Sequence, residues 1–135
     1  MSMSNTTEND VLKMMLQGTD PSWRADATQW IALHTADPGE AGSAVTSEAT
    51  YTSYARVAVI KATGWTDGGS TFSNAALVQF PQCTGGSNAI THFSVVTSSS
   101  GAGQILVSGA LSATLNVATG IQPQFAIGEL DVAAD

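Results

Sequence analysis

Charged side chains are scarce in this sequence: they make up 11% of its 135 residues, against the roughly 25% usual in a globular chain. Lysine and arginine together number 4 (Lys13, Arg24, Arg56 and Lys61), set against 11 acidic residues for a formal charge of −7. A phosphate-binding surface begins with clustered cations, so nucleic acid is not an expected partner, and an anionic membrane surface is disfavoured for the same reason. No apolar run approaches the ~20 residues of a membrane-spanning helix, and the N-terminus lacks the basic start and long apolar core of a secretory signal. The expectation is a product made in the cytoplasm. Cysteine occurs once, at Cys83, which excludes an internal disulfide framework and agrees with a reducing compartment.

The chemistry of catalysis is equally sparse. His34 and His92 are each without a nearby His or Cys at ligand spacing, and a zinc site needs three or four such donors. They read as histidines bonded to backbone or lying on a sheet. Asp37 and Glu40 flank Pro38-Gly39, so Asp37 is expected to bond its own backbone in a turn rather than act as an acid or base. No serine sits in a Gly-x-Ser-x-Gly elbow between a strand and a helix. Gly85-Gly86 and Gly101-Ala102-Gly103 lack the Lys-Ser/Thr of a phosphate loop and read as hairpin loops. Cys83 reads as a structural thiol. The sequence thus predicts no enzyme, no metal, no cofactor and no small-molecule substrate.

What is abundant is hydroxyl and small apolar residues. The hydrophobic fraction is 43%, enough for one domain of this length to bury roughly two-thirds of its unfolded surface. Ser and Thr supply the polarity that charge does not. They are cheaper to desolvate than ions, which suits a surface later covered by a partner. One helix is predicted over residues 7–17, capped by Thr6 or Thr7, acidic at Glu8 and Asp10, and stopped at Gly18. Val11, Leu12, Met14, Met15 and Leu16 should form its buried side. Beyond Asp20-Pro21 the pattern turns to short alternating runs bounded by Gly, Ser, Asn and Pro. Strands are predicted at 28–35, 54–61, 76–80, 89–97, 104–111, 114–118 and 125–132. In the second of these, Ala55, Val57 and Val59 should share one face and Tyr54, Arg56 and Ala58 the other. In the last, a bulge at Gly128 would bring Phe125, Ile127, Leu130 and Val132 to one face.

The fold class is therefore mainly β: an antiparallel β-sandwich or jelly-roll-like barrel with one short N-terminal helix. Residues 1–22 form an arm carrying the helix, and 23–135 a single β domain. Residues 36–53 and 63–74 read as long loops, the second containing the turn signal Asp67-Gly68. A connection as long as 36–53 is usually functional or disordered, and this loop and the helix are expected to contribute to subunit contacts. Aromatic residues paired with scarce cations mark the candidate interface: Trp23, Arg24, Trp30, Tyr51, Tyr54, Arg56 and Trp65. Trp, Tyr and Arg carry much of the energy of protein contacts, although two of the tryptophans are expected simply to close the ends of the barrel. An Arg such as Arg56 in an acidic chain should be paired.

The stretch from Trp30-Ile31-Ala32-Leu33-His34-Thr35-Ala36-Asp37-Pro38-Gly39 to Tyr54-Ala55-Arg56-Val57-Ala58-Val59 resembles a family of small tailed-phage structural proteins. So do Phe80-Pro81-Gln82-Cys83-Thr84-Gly85-Gly86, Ile90-Thr91-His92-Phe93 and Ser108-Gly109-Ala110-Leu111, in the same order. Members of that family carry labels such as tail fibre, minor tail, head decoration or virion protein, and the resemblance transfers no catalytic residue. It implies a virion component. Small size, low charge and the absence of a fibrous repeat favour a capsid cement or decoration protein on the outer head surface. Its partners would be the major capsid protein and copies of itself. A tail, baseplate or tail-fibre component is the alternative, and a small jelly-roll binding module or enzyme the remote one.

Overall fold

The computed structural model describes residues 1–134. Strand accounts for 42% and helix for 13%, so the chain is mainly β, with antiparallel sheets and, among the described residues, a single α-helix. The strands do not close into a barrel.

The chain opens with β1 (Ser2–Met3) and α1 (Asn5–Gln17). It crosses the sheet with β2 (Thr28–His34) and β3 (Val57–Ile60), then makes β4 (Trp65–Asp67), β5 (Thr71–Asn74) and β6 (Val78–Gln79). Two long strands follow, β7 (Ser87–Val96) and β8 (Ile105–Ala118), and the chain ends with β9 (Gln124–Phe125) and β10 (Asp131–Ala133). The main sheet has the order β1-β8-β7-β2-β3. Smaller sheets, β10-β5-β4 and β6-β9, lie apart from it.

Period-2 alternation explains how the main sheet serves two cores. Odd residues of β2, Ile31 and Leu33, join Ile90, Phe93 and Val95 of β7 in the larger core, against Val78, Phe80, Phe125 and Leu130 of the small-sheet layer. Even residues Ala32 and Trp30 face the opposite way, where Ala44, Val96 and Ile105 form a second cluster. A bulge tunes the larger core. Val95 pairs with Val107 and Val96 with Ile105, leaving Leu106 without a partner. An extra residue in one strand shifts the side-chain phase, so adjacent Leu106 and Val107 both reach the same core.

Several expectations need correction. The predicted strands 104–111 and 114–118 are one 14-residue strand, β8. The interruption seen in the sequence is an irregularity, since Ile90 pairs with Leu115 but His92 with Ala110, so residues 111–114 stand opposite Thr91 alone. The predicted loop 63–74 contains the hairpin β4–β5, in which Asp67 pairs with Phe72 and the Gly69 N–H bonds Asp67 Oδ1 at 2.7 Å. Gly128 does not form a bulge within one strand. With φ of 79° it sits in a turn closed by Glu129 N–H to Ala126 O at 3.0 Å, and that turn sends β9 and β10 to different sheets. Phe125 and Leu130 are buried, whereas Ile127 is 70% exposed. Asn74 holds the turn from beneath: its Nδ2 donates to Ala76 O (2.8 Å) and Ala126 O (2.9 Å), and its Oδ1 accepts from Leu130 N–H at 2.9 Å.

The helix follows expectation only in part, since Val11 and Met14 are half-buried but the rest of the expected apolar side is not. Its cap is Ser4, whose side chain accepts from the Thr7 N–H, and its end is Gly18 in the left-handed region at φ 65°. Thr7, not an aliphatic residue, is the buried position. Leu12, Met15 and Leu16 are 54%, 70% and 77% exposed.

Candidate assembly surfaces and the buried ion pair

Residues 36–53 have no regular secondary structure beyond isolated bridges, yet they are built into the molecule. His34 bridges to Glu48, Ser43 to Gln104, and Thr52 to Gly85. Ala44, Ala49 and Tyr51 are buried. Asp37 forms the expected turn, accepting from the Gly39 N–H at 2.9 Å. Ser47 at φ 51° and Ser53 at φ 81° are held in a backbone region unfavourable to side-chain-bearing residues, a cost that only surrounding contacts sustain.

Ser47 O accepts from the Thr35 N–H at 2.8 Å and Ser53 Oγ lies 2.7 Å from Thr84 Oγ1, and Glu48 and Arg56 fasten the segment further. Arg56 Nε donates to Glu48 Oε1 at 2.6 Å and Nη2 to Glu48 Oε2 at 2.9 Å, a two-pronged pair. The remaining donors reach Ser98 O at 2.9 Å and Gly101 O at 2.6 Å. One guanidinium thereby ties loop 36–53 and the β3 approach to the β7–β8 turn. The hydrogen bond to Glu48 holds the Arg56 guanidinium still more firmly protonated than usual. Tyr54 extends the network, donating to Glu48 Oε1 at 3.0 Å and accepting from the Leu33 N–H at 3.1 Å. Burial raises its hydroxyl pKa above the usual tyrosine value. The strand expected to start at Tyr54, with Tyr54, Arg56 and Ala58 sharing one face, is therefore corrected. The strand begins only at Val57, after a turn closed by Tyr54 N–H to Tyr51 O at 3.1 Å, and that turn directs both side chains inward.

Tyr51 packs edge-on against Tyr54, with ring centroids 5.4 Å apart, and its hydroxyl donates to Pro81 O at 2.8 Å. Burial pushes that hydroxyl up to about 12. The structure thus brings Tyr51, Tyr54 and Arg56 together, inside the chain. Trp30 stands apart, half-buried against the second cluster. Trp65 packs on the main core and donates to Gln29 Oε1 at 3.0 Å. Trp23 bridges sheet and helix: it packs on the core, donates to Asp10 Oδ2 at 2.9 Å, and lies beneath Lys61, 5.7 Å from its ring centroid. Arg24 is exposed and pairs with Asp20 four residues back. Of the seven candidates it is the most open to a partner.

His34 is fully buried. Its Nδ1 lies 2.8 Å from Thr46 O and its Nε2 2.7 Å from Ser94 Oγ. A carbonyl can only accept, so Nδ1 carries the proton and Nε2 accepts from the serine. Burial lowers the His34 pKa. His92 is its neighbour across β2 and β7, but its Nδ1 bonds Thr91 Oγ1 at 2.8 Å. Among the described residues, His, Cys, Asp and Glu do not gather in any group of three or more that would hold a metal ion. Cys83 is buried, and its thiol lies 3.2 Å from Gly85 O. Every buried side-chain nitrogen and oxygen among the described residues has a hydrogen-bond partner.

Sequence reasoning missed two features. Glu48, the hub of the ion pair, lies in a Ser/Thr/Ala stretch with no local mark of burial; its signal is Arg56, a cation that must be neutralised if it is to be buried. The outward-facing Leu12, Met15 and Leu16 were missed because an apolar helical stripe ordinarily faces its own core. Here Ser4 and Thr7 dock instead: Thr7 Oγ1 donates to Ile105 O at 2.9 Å, while Gln104 Nε2 donates to Thr7 Oγ1 at 2.9 Å and to Asp10 Oδ2 at 3.0 Å. These bonds to Asp10 from Gln104 and Trp23 lower its carboxyl pKa.

A family model described as podophage GP4 fiber I protein gp80 matches residues 2–133. The chain belongs to this family of phage virion structural proteins. No curated protein matches it.

Proposed function

We propose that the chain, as a member of a fibre-labelled family of virion proteins, is a non-catalytic subunit of the particle's fibre apparatus, held by contact with neighbouring subunits and with copies of itself. The observation that carries this reading is the part of the helix left uncovered. Its polar residues dock on β8 while Leu12, Met15 and Leu16 face outward at 54%, 70% and 77% exposure. A 13-residue helix is too short to persist on propensity alone. Apolar side chains displayed on an anchored helix are what a helix-in-groove contact uses. The description of the matched family favours the fibre.

A head-surface cement role, with the major capsid protein as partner, is the second reading. It is favoured by a single α-helix on a β fold, without the coiled coil or β-helical repeat of a fibre shaft. Particles assembled without this chain separate the two readings. The fibre role predicts stable, DNA-filled heads with missing or defective fibres and impaired adsorption. Particles with intact fibres that lose DNA at lower temperature would replace it with the head role.

A further inference from the structure

The bulge of β8 at residues 111–114, opposite Thr91 alone, does more than interrupt a strand. Bulges concentrate beside functional sites, where they re-aim side chains, and this one forms a wall of an open cleft of about 520 Å³. That volume lies within the roughly 300–1,000 Å³ of ligand pockets. Leu111, Leu115, Phe125 and Leu130 supply the apolar part of the lining, and Glu129 and Asp131 supply its charge. Glu129 Oε2 accepts from the Ala126 N–H at 2.6 Å, which fixes that carboxylate and leaves its other oxygen open. The ion pairs among the described residues are Arg24–Asp20 and Arg56–Glu48, so neither Glu129 nor Asp131 has a cationic partner. Apart from the α-amino group at Met1, no cation belongs to the lining.

We propose that this cleft receives an arginine side chain from a neighbouring subunit of a different kind, its methylenes along Leu111 and Leu115 and its guanidinium at Glu129 and Asp131. Charge complementarity names the occupant. A long cationic side chain lays its stem on apolar surface and holds its head among polar groups, which is the division this cleft offers. Arginine meets carboxylates with a planar fork of paired N–H donors and is enriched in protein contacts, whereas lysine is depleted there. A second copy is a poor donor. Its Arg56 is buried, its Arg24 pairs with Asp20, and its Lys61 donates to the carbonyls of Trp23 and Arg24. That leaves only Lys13, on a chain of −7 that repels its own kind.

The inference rests on the reading of this chain as a subunit held by its neighbours, and adds a contact separate from the helix. Its test uses the isolated chain, so it can fail while the fibre location stands, and a head location would leave it intact.

Amide NMR spectra of the full chain, titrated with the blocked tripeptide acetyl-Leu-Arg-Leu-amide, provide that test. One anchored side chain binds weakly, with a Kd on the order of 1 mM. The expected result is saturable shifts at residues 110–115 and 124–131, reduced by added salt. Asp131→Asn should weaken binding ~5-fold, the value of an exposed ion pair, and adding Glu129→Gln should weaken it further. The single variant removes no hydrogen bond of the fold, and its spectrum shows directly that it remains folded. The citrulline counterpart of the peptide, alike in shape but uncharged, should bind more weakly than the arginine form. Shifts that do not saturate, or that fall outside these residues, would overturn the proposal. So would equal binding of the citrulline peptide, or tighter binding at the same amides by the neutral oligosaccharide maltoheptaose, which would make the cleft a saccharide site.

Discussion

Residues 36–53 and the helix Asn5–Gln17 invert the usual relation between regularity and burial. The irregular segment holds buried Ala44, Ala49 and Tyr51 and is bonded through Glu48 to Arg56. The regular one turns Leu12, Met15 and Leu16 to solvent while Val11 and Met14 are half-buried. Hydrogen-bonded regularity and core membership are separate properties: a loop can be rigid if side chains satisfy it, and a helix can be anchored by Ser4, Thr7 and Asp10 while Leu12, Met15 and Leu16 stay free. The loop does internal work and the helix is available for external work.

The sharpest way to break that contrast is to remove one half of the ion pair. Glu48→Ala should leave a guanidinium 7% exposed without its carboxylate, and removing one partner of such a pair costs ~3–5 kcal/mol. Urea denaturation measures this loss, and Arg56→Ala should match it. A loss below ~1 kcal/mol, the value of an exposed pair, would mean that loop 36–53 is not fastened as described.

Acid should loosen the same loop by a smaller amount. His34 has a folded-state pKa lowered by burial, so the unfolded chain binds its proton more readily, and stability rises with pH where only the unfolded state is protonated. The His34 contribution is therefore fully present above ~6.5, the unfolded value, and is lost as pH falls toward the lowered folded value. Glu48, Arg56 and His92 are the charged or titratable groups acting on it. Unfolding free energies measured from neutral to mildly acidic pH should show this slope in the native chain and a flatter one in His34→Gln. Equal slopes would place the acid sensitivity elsewhere.

The smallest effect on the isolated protein is expected at the helix. Leu12→Ser, Met15→Ser and Leu16→Ser should each change stability by about 0.5 kcal/mol or less, as exposed substitutions do, while the triple variant enters particles poorly. Melting curves and the protein composition of purified virions read the two halves of that statement. A large drop in melting temperature would show that these residues are packed against their own chain.

Much of the main sheet is legible in the sequence because β2 and β7 carry alternation long enough to see: Ile31 and Leu33 against Ala32, and Phe93 and Val95 against Ser94. What was lost was lost for physical reasons. Residues 111–114 break the period of β8, so one strand reads as two. β4 and β5 have 3 and 4 residues, too few to establish a period, although Asp67-Gly68 marks their turn. The inward turn of Tyr54 and Arg56 depends on Ser53 at positive φ and on Ser98 and Gly101, more than 40 residues away. No local pattern announces a partner at that distance. The aromatic and Arg candidates were chosen by type, and type alone does not distinguish an anchor for a partner from a fastening within the fold: Tyr51, Tyr54 and Arg56 fasten the chain to itself, whereas Arg24 stands open.

Whether this chain is a fibre-associated virion subunit is decided most directly by locating it in the intact particle. Electron cryomicroscopy of virions, with the structure fitted into resolved density, should find it in the fibre apparatus with Leu12, Met15 and Leu16 covered by a neighbouring subunit. Density on the head lattice, or a fibre-located copy whose helix remains bare, would contradict it.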